Sequence, residues 1–125
     1  MSIVGLDHVQ LAIPPGGEDA ARRFYGEALG FQERTKPPEL AKRGGVWFAL
    51  GAITLHLGVE STFVPAKKAH PAFRCDDYER FLGRLVAGGI EVRPDDVPFE
   101  GKRHCYIDDP FGNRIELIDA STSSA

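Results

Sequence analysis

Four residues of this 125-residue chain have types and spacings that suit shared chemistry: His8, His56, His70 and Glu116. Imidazole and carboxylate groups together suit a divalent transition metal such as nickel, zinc, manganese or iron better than calcium or magnesium. Their positions fall into two pairs. His70 lies 62 residues after His8, and Glu116 lies 60 after His56, as expected of equivalent positions in a chain written twice. Taken singly, each has a plainer reading, a half-exposed histidine or a solvated carboxylate. The set of four points to a metal site completed by water, with positions left open for a substrate.

Each of the four lies in or at the head of a short stretch of alternating polarity, so the two-residue period of a strand assigns it a face. In "HVQLAI", Val9, Leu11 and Ile13 share one face and leave His8 and Gln10 on the other. In "AITLHL", Ile53, Leu55 and Leu57 leave Thr54 and His56 opposite. In "HPAFRC", Phe73 and Cys75 leave His70 and Ala72 opposite, and in "NRIELI", Ile115 and Leu117 leave Glu116. The stretch "HCYID" adds His104 and Tyr106 to the same polar face. Tyr106 is a candidate donor to a substrate oxygen, whereas His104 reads equally well as a structural residue. Lys67-Lys68 and Lys102-Arg103 are loop cations that could gather an anionic substrate, although such groups are usually just solvated.

The elements that must carry these residues repeat along the chain. Ala21, Phe24, Tyr25, Ala28 and Leu29 predict an amphipathic helix over 18–29, and Tyr78, Phe81, Leu82, Leu85 and Val86 predict another over 77–87. Each ends at glycine, Gly30 and Gly88-Gly89, where a left-handed cap is needed. Asp76 and Glu79 suggest a capping box for the second helix. "RFYG" at 23–26 returns as "RFLG" at 80–83. Each half reads strand, helix, strand, strand, strand, so the expected fold is α+β. Two tandem βαβββ units, over about 4–59 and 69–119, form one domain within residues 1–120. The helices stand outside a curved mixed sheet, and 121–125 form a flexible tail.

Composition narrows the partners. A formal charge of −3 argues against nucleic acid, whose phosphates want a basic surface. No apolar run approaches membrane-spanning length, and the N-terminus lacks a basic segment followed by a long apolar one, so a cytoplasmic location is expected. Cys75 and Cys105 form no CxxC pair and read as buried free thiols.

With these residues in place, the sequence resembles the vicinal oxygen chelate superfamily, which includes glyoxalases, fosfomycin-resistance proteins and extradiol dioxygenases. The likeness runs from "LDHVQLAI" to "DPFGNRIELI". It implies paired βαβββ units forming a cup with a metal at its base, held by His8, His56, His70 and Glu116. It also implies a homodimer with shared active sites, in which His8 and His56 of one copy meet His70 and Glu116 of the other. The implied activity is glyoxalase-like lyase or isomerase chemistry on a small oxygenated substrate. The metal would stabilise an enediolate or alkoxide, with Glu116 as general base and Tyr106 as donor. A glyoxalase I typically has glutamate where His56 stands, so the present set carries one more positive charge and one candidate base fewer. Fosfomycin-modifying thiol transferases and extradiol dioxygenases need only the equivalents of His8, His70 and Glu116. A metal-free binding protein of the bleomycin-resistance type is the alternative from another class.

Overall fold

The computed structural model describes residues 2–121, so all of the expected tail except Ser121 lies outside the described residues. The chain divides into two compact units, the first running through Pro65 and the second from Ala66. Each unit holds its own four-stranded mixed sheet, as the repeat predicts.

In the first unit β1 (Val9–Ile13) is followed by α1 (Glu18–Ala21), which continues as a π-helical segment over Arg22–Ala28. Then come β2 (Gln32–Arg34), the short α2 (Pro38–Ala41), β3 (Val46–Leu50) and β4 (Ile53–Val59). The sheet order is β1-β4-β3-β2, with β1 parallel to β4 and the other pairs antiparallel. Leu11, Ile13, Leu55 and Leu57 are buried on the sheet face that alternation predicts, joined by Val46 and Phe48 of β3, while Val9 and Ile53 are only half-buried. The helix covers that face with Ala21, Phe24 and Tyr25, the last within 6.0 Å of the Phe48 ring. The π-helical widening departs from the regular helix expected over 18–29. Its N–H of Leu29 bonds the Phe24 carbonyl five residues back, which brings Leu29 rather than Ala28 to the buried side. The helix α2 had no counterpart in the sequence reading; it starts at Pro38, whose fixed φ suits a first helical position.

The second unit contains β5 (Ala72–Cys75), α3 (Tyr78–Ala87), β6 (Arg93–Pro94), β7 (His104–Asp108) and β8 (Arg114–Asp119), in the sheet order β5-β8-β7-β6. Again the first strand is parallel to the last and the remaining pairs are antiparallel. Cys105, Ile107, Ile115 and Leu117 are buried on one face together with Tyr78 and Leu85 of α3. Both main helical segments end at left-handed glycines, Gly30 and Gly89.

Three details correct the sequence reading. The capping box is not formed: Asp77, itself left-handed with φ of 47°, is the N-cap and makes no side-chain cap bond. Glu79 is drawn instead to Arg103, 2.5 Å away. Val86 is 58% exposed and does not belong to the core face of α3. Cys105 is buried as expected, but Cys75 is only half-buried; burial still raises the Cys75 pKa to about 11, leaving it a weakly reactive thiol.

The turn "DDPFGN" sets the direction of β8. Asp109 Oδ1 accepts the backbone N–H groups of Phe111 and Asn113 at 2.9 and 2.8 Å, while Asn113 Nδ2 donates to Asp109 Oδ2 at 2.9 Å. Asn113 Oδ1 accepts the N–H of Ala66, tying the start of the second unit to the turn. Gly112 supplies the positive φ of 94° that closes it. From there alternation alone puts Glu116 on the polar face of β8.

Candidate metal centre

The second unit gathers its polar residues around Glu116. Glu116 pairs in register with Ala72 of β5 and Tyr106 of β7. It is only 8% exposed, which rules out the solvated reading of its carboxylate. Its oxygens are divided between two imidazoles: Oε1 lies 3.0 Å from His70 Nε2, and Oε2 lies 2.7 Å from His104 Nδ1. The Tyr106 ring stands edge-on to both histidines, with centroids 5.8 Å from each. Burial raises the Tyr106 pKa, and the nearby Glu116 carboxylate adds to that effect, so the phenol keeps its proton and can donate it in a hydrogen bond.

Donor and acceptor counting fixes the tautomers. His70 Nδ1 lies 2.9 Å from the Lys68 carbonyl, which can only accept, so Nδ1 carries a hydrogen. In the neutral ring Nε2 is then a bare lone pair, and it faces a carboxylate oxygen. Two acceptors 3.0 Å apart need a hydrogen or a cation between them. The imidazole and carboxylate of His70 and Glu116 are donors of the kind that would suit a divalent transition metal. His104 Nε2 lies 2.7 Å from the Val97 carbonyl. Burial alone would lower the His104 pKa, but the Val97 carbonyl and Glu116 carboxylate outweigh it and raise the value above that of ordinary imidazole.

In the first unit His8 stands just before β1, and its Nδ1 lies 2.8 Å from Asp7 Oδ1. As in His70, an oxygen acceptor at Nδ1 leaves Nε2 as the lone-pair nitrogen of the neutral ring. His56 is paired in register with Gln10 and Trp47. Its ring is sandwiched between Trp47, 4.2 Å away and 5° from parallel, and His8, 4.1 Å away and 22° from parallel. Desolvation lowers the His56 pKa, and the neighbouring His8 lowers it further, so the ring is neutral near pH 7. The in-plane lone pairs of two nearly parallel stacked rings lie in separate planes that converge little. Joint ligation of one ion by His8 and His56 would require this stack to rotate.

A cavity of about 460 Å³ opens over the stack, lined by residues including His8, Gln10, Lys36, Arg43, Trp47 and His56. Lys36, Leu40, Arg43 and Gly44 line it from the segment before β3. Glu18 Oε2 accepts the Gly45 N–H at 3.0 Å, and Lys36 Nζ donates to the Gly44 carbonyl while lying 5.9 Å from the Trp47 ring centroid.

Among the described residues, no group of three or more His, Cys, Asp or Glu side chains is gathered as a finished metal cluster. His70 and Glu116 are brought together in the second unit, and His8 and His56 in the first. Sequence reasoning gave His104 too little weight. Its alternation with Tyr106 was the available signal, but the bond to Glu116 depends on a register that no local pattern displays. Arg114 was also missed: it stacks over Tyr106 at 5.3 Å, and its buried Nε has no partner among the described residues. Of the loop cations, Arg103 is occupied by Asp119 and Glu79, and Lys67 lies 3.7 Å from Asp108.

Two four-stranded units, each strand-helix-strand-strand-strand, with histidine before the first strand and an ionisable residue in the last, define a glyoxalase-type fold. The chain belongs to the Glyoxalase/Bleomycin resistance protein/Dioxygenase superfamily, whose family profile matches residues 5–117. It is similar to a Bacillus anthracis protein provisionally assigned to the glyoxalase family, at 48% identity and a TM-score of 0.92, covering 97% of this chain and 98% of that one. A glyoxalase family protein from Enterococcus faecalis is 26% identical with a TM-score of 0.74, over 95% of this chain and 100% of that one. Lactoylglutathione lyase from Agrobacterium tumefaciens shares the fold at 22% identity and a TM-score of 0.72, over 96% of each chain. No curated protein matches the chain.

Proposed function

We propose that this chain is a divalent-metal-dependent enzyme of the superfamily, acting by glyoxalase-like lyase or isomerase chemistry on a small oxygenated substrate. The supporting observation is the matched state of two histidines. His8 and His70 each have Nδ1 against an oxygen acceptor, which turns a bare Nε2 outward, and the Nε2 of His70 faces Glu116 Oε1 at 3.0 Å. Carbonyl or carboxylate partners of this kind orient metal-binding histidines and raise their basicity.

On this reading His8, His70 and Glu116 hold nickel, zinc, manganese or iron, and His56 joins as fourth ligand when its ring leaves the stack. A cytoplasmic homodimer sharing its active sites is part of the proposal, with His8 and His56 from one copy and His70 and Glu116 from the other, each copy acting as one domain over 1–120. The metal, when bound, supplies Lewis-acid polarisation of adjacent substrate oxygens. Glu116, little exposed beside His70, would serve as general base for the carbon-bound proton. Tyr106 donates its hydroxyl hydrogen to a substrate oxygen. Metal loading of the tag-free protein, compared with His70→Ala, tests the reading: stoichiometric metal lost in the variant supports it.

The stacked His8–His56–Trp47 array beside a cavity of about 460 Å³ favours a second reading, a metal-free binder of the bleomycin-resistance type. Under it, His70→Ala leaves ligand binding intact.

A further inference from the structure

We infer that His104 is a positioning residue: it holds Glu116 Oε2 and so leaves Oε1 as the single oxygen presented beside His70 Nε2. The inference rests on the metal-site reading above. A carboxylate free to rotate can offer either oxygen, or both, to a cation. Here His104 Nδ1 occupies Oε2 at 2.7 Å, and His104 is itself fixed by the Val97 carbonyl at 2.7 Å from its Nε2. Asp95 Oδ2 stands 3.7 Å from the same Nε2. The ring is 7% exposed, so it cannot turn away without leaving these partners inside the protein.

The sister unit shows that the fold does not require this histidine. Trp47 stands opposite His56 as Tyr106 stands opposite Glu116. Two residues before Trp47 is Gly45, and two before Tyr106 is His104. A Cβ at Gly45 would come within 2.2 Å of the Leu57 carbonyl oxygen. One unit therefore has no room for a side chain at this position, and the other spends it on an imidazole clamped to the carboxylate. The difference follows the residue being served, histidine in one unit and glutamate in the other.

The test is zinc titration by calorimetry on full-length wild type, His104→Ala and His104→Gln, with melting of each metal-free protein measured alongside. Loss of an outer-shell partner weakens metal binding by about 10–100-fold; His104→Ala is expected in that range. His104→Gln, whose amide can still donate to Oε2, should recover most of the affinity and guards against misfolding of the alanine variant. Equal zinc affinity in all three overturns the inference, as does a loss in both variants that tracks melting temperature alone. If wild type binds no zinc, the metal reading fails and His104 is judged on imidazole NMR of the metal-free proteins. A His70 Nε2 resonance displaced in His104→Ala and restored in His104→Gln supports positioning, and an unmoved one overturns it.

Discussion

The two units use one backbone plan to hold their central ionisable residue in opposite ways. His56 and Glu116 each occupy the middle strand of a mixed sheet, beside a parallel first strand and opposite an aromatic residue of the preceding strand. His56 is held by its faces, stacked between Trp47 and His8. Glu116 is held by its edges, with a histidine nitrogen beside each oxygen, His104 Nδ1 at Oε2 and His70 Nε2 at Oε1. Stacking positions the ring of His56 by packing on its faces. The His104 contact aims the Glu116 carboxylate by a hydrogen bond, which has a strict direction. Two equivalent positions of the repeat thus hold, in one unit, a carboxylate flanked at both oxygens and, in the other, a ring packed between two others.

The largest effect expected from breaking this asymmetry is on Glu116. Glu116→Ala should weaken zinc binding more than about 100-fold, beyond the range of outer-shell partners, as read by calorimetry. His56→Ala should cost less than about ten-fold, because its loss leaves His8, His70 and Glu116 in place. It should nonetheless change the emission of Trp47, the only tryptophan, by removing the ring stacked on it. A variant in which His56→Ala abolishes zinc binding would show that the stack opens fully on loading.

Stability should follow the same contrast. Phe48→Ala removes a 1%-exposed ring that the first unit packs against Tyr25 and Phe31, and should cost about 3–5 kcal/mol in denaturant unfolding. Gly45→Ala places a methyl group against backbone at a φ of 86° and should cost about 1–3 kcal/mol. At the sister position His104→Ala creates no such clash, so its effect should fall on metal affinity before stability.

The smallest predicted effect is a pH dependence outside the site. The Asp119 pKa lies below its ordinary value of 3.8, chiefly because the Ser121 N–H bonds its carboxylate, with Arg103 adding to the shift. A depressed carboxylate contributes stability that is complete above its unfolded pKa and lost as pH falls through the folded one. Wild type should therefore lose stability more steeply than Asp119→Asn as pH falls below about 4, measured by thermal melts across that range.

How much of this could be read from the sequence depended on whether the cause was local. Strand faces followed from a two-residue period, so Leu55, Leu57, Ile115 and Leu117 fell on the buried side as expected. The glycine caps at Gly30 and Gly89 followed from backbone sterics. The capping box failed because Asp77 took a left-handed φ and Arg103, distant in sequence, drew Glu79 away. His104 was undervalued for a related reason. Its partners Val97 and Glu116 are set by a loop and by the β7–β8 register, and neither is written in the five residues "HCYID". The His56 stack likewise needed Trp47 and His8 to arrive from two other segments.

The most direct test of the account is elemental analysis of tag-free protein purified without chelator, counted per chain, beside His70→Ala. Close to one nickel, zinc, manganese or iron per wild-type chain is expected, with the metal lost in the variant. Absence of metal from wild type, even after reloading, would contradict it and leave the stacked histidines of the first unit as parts of a metal-free binding site.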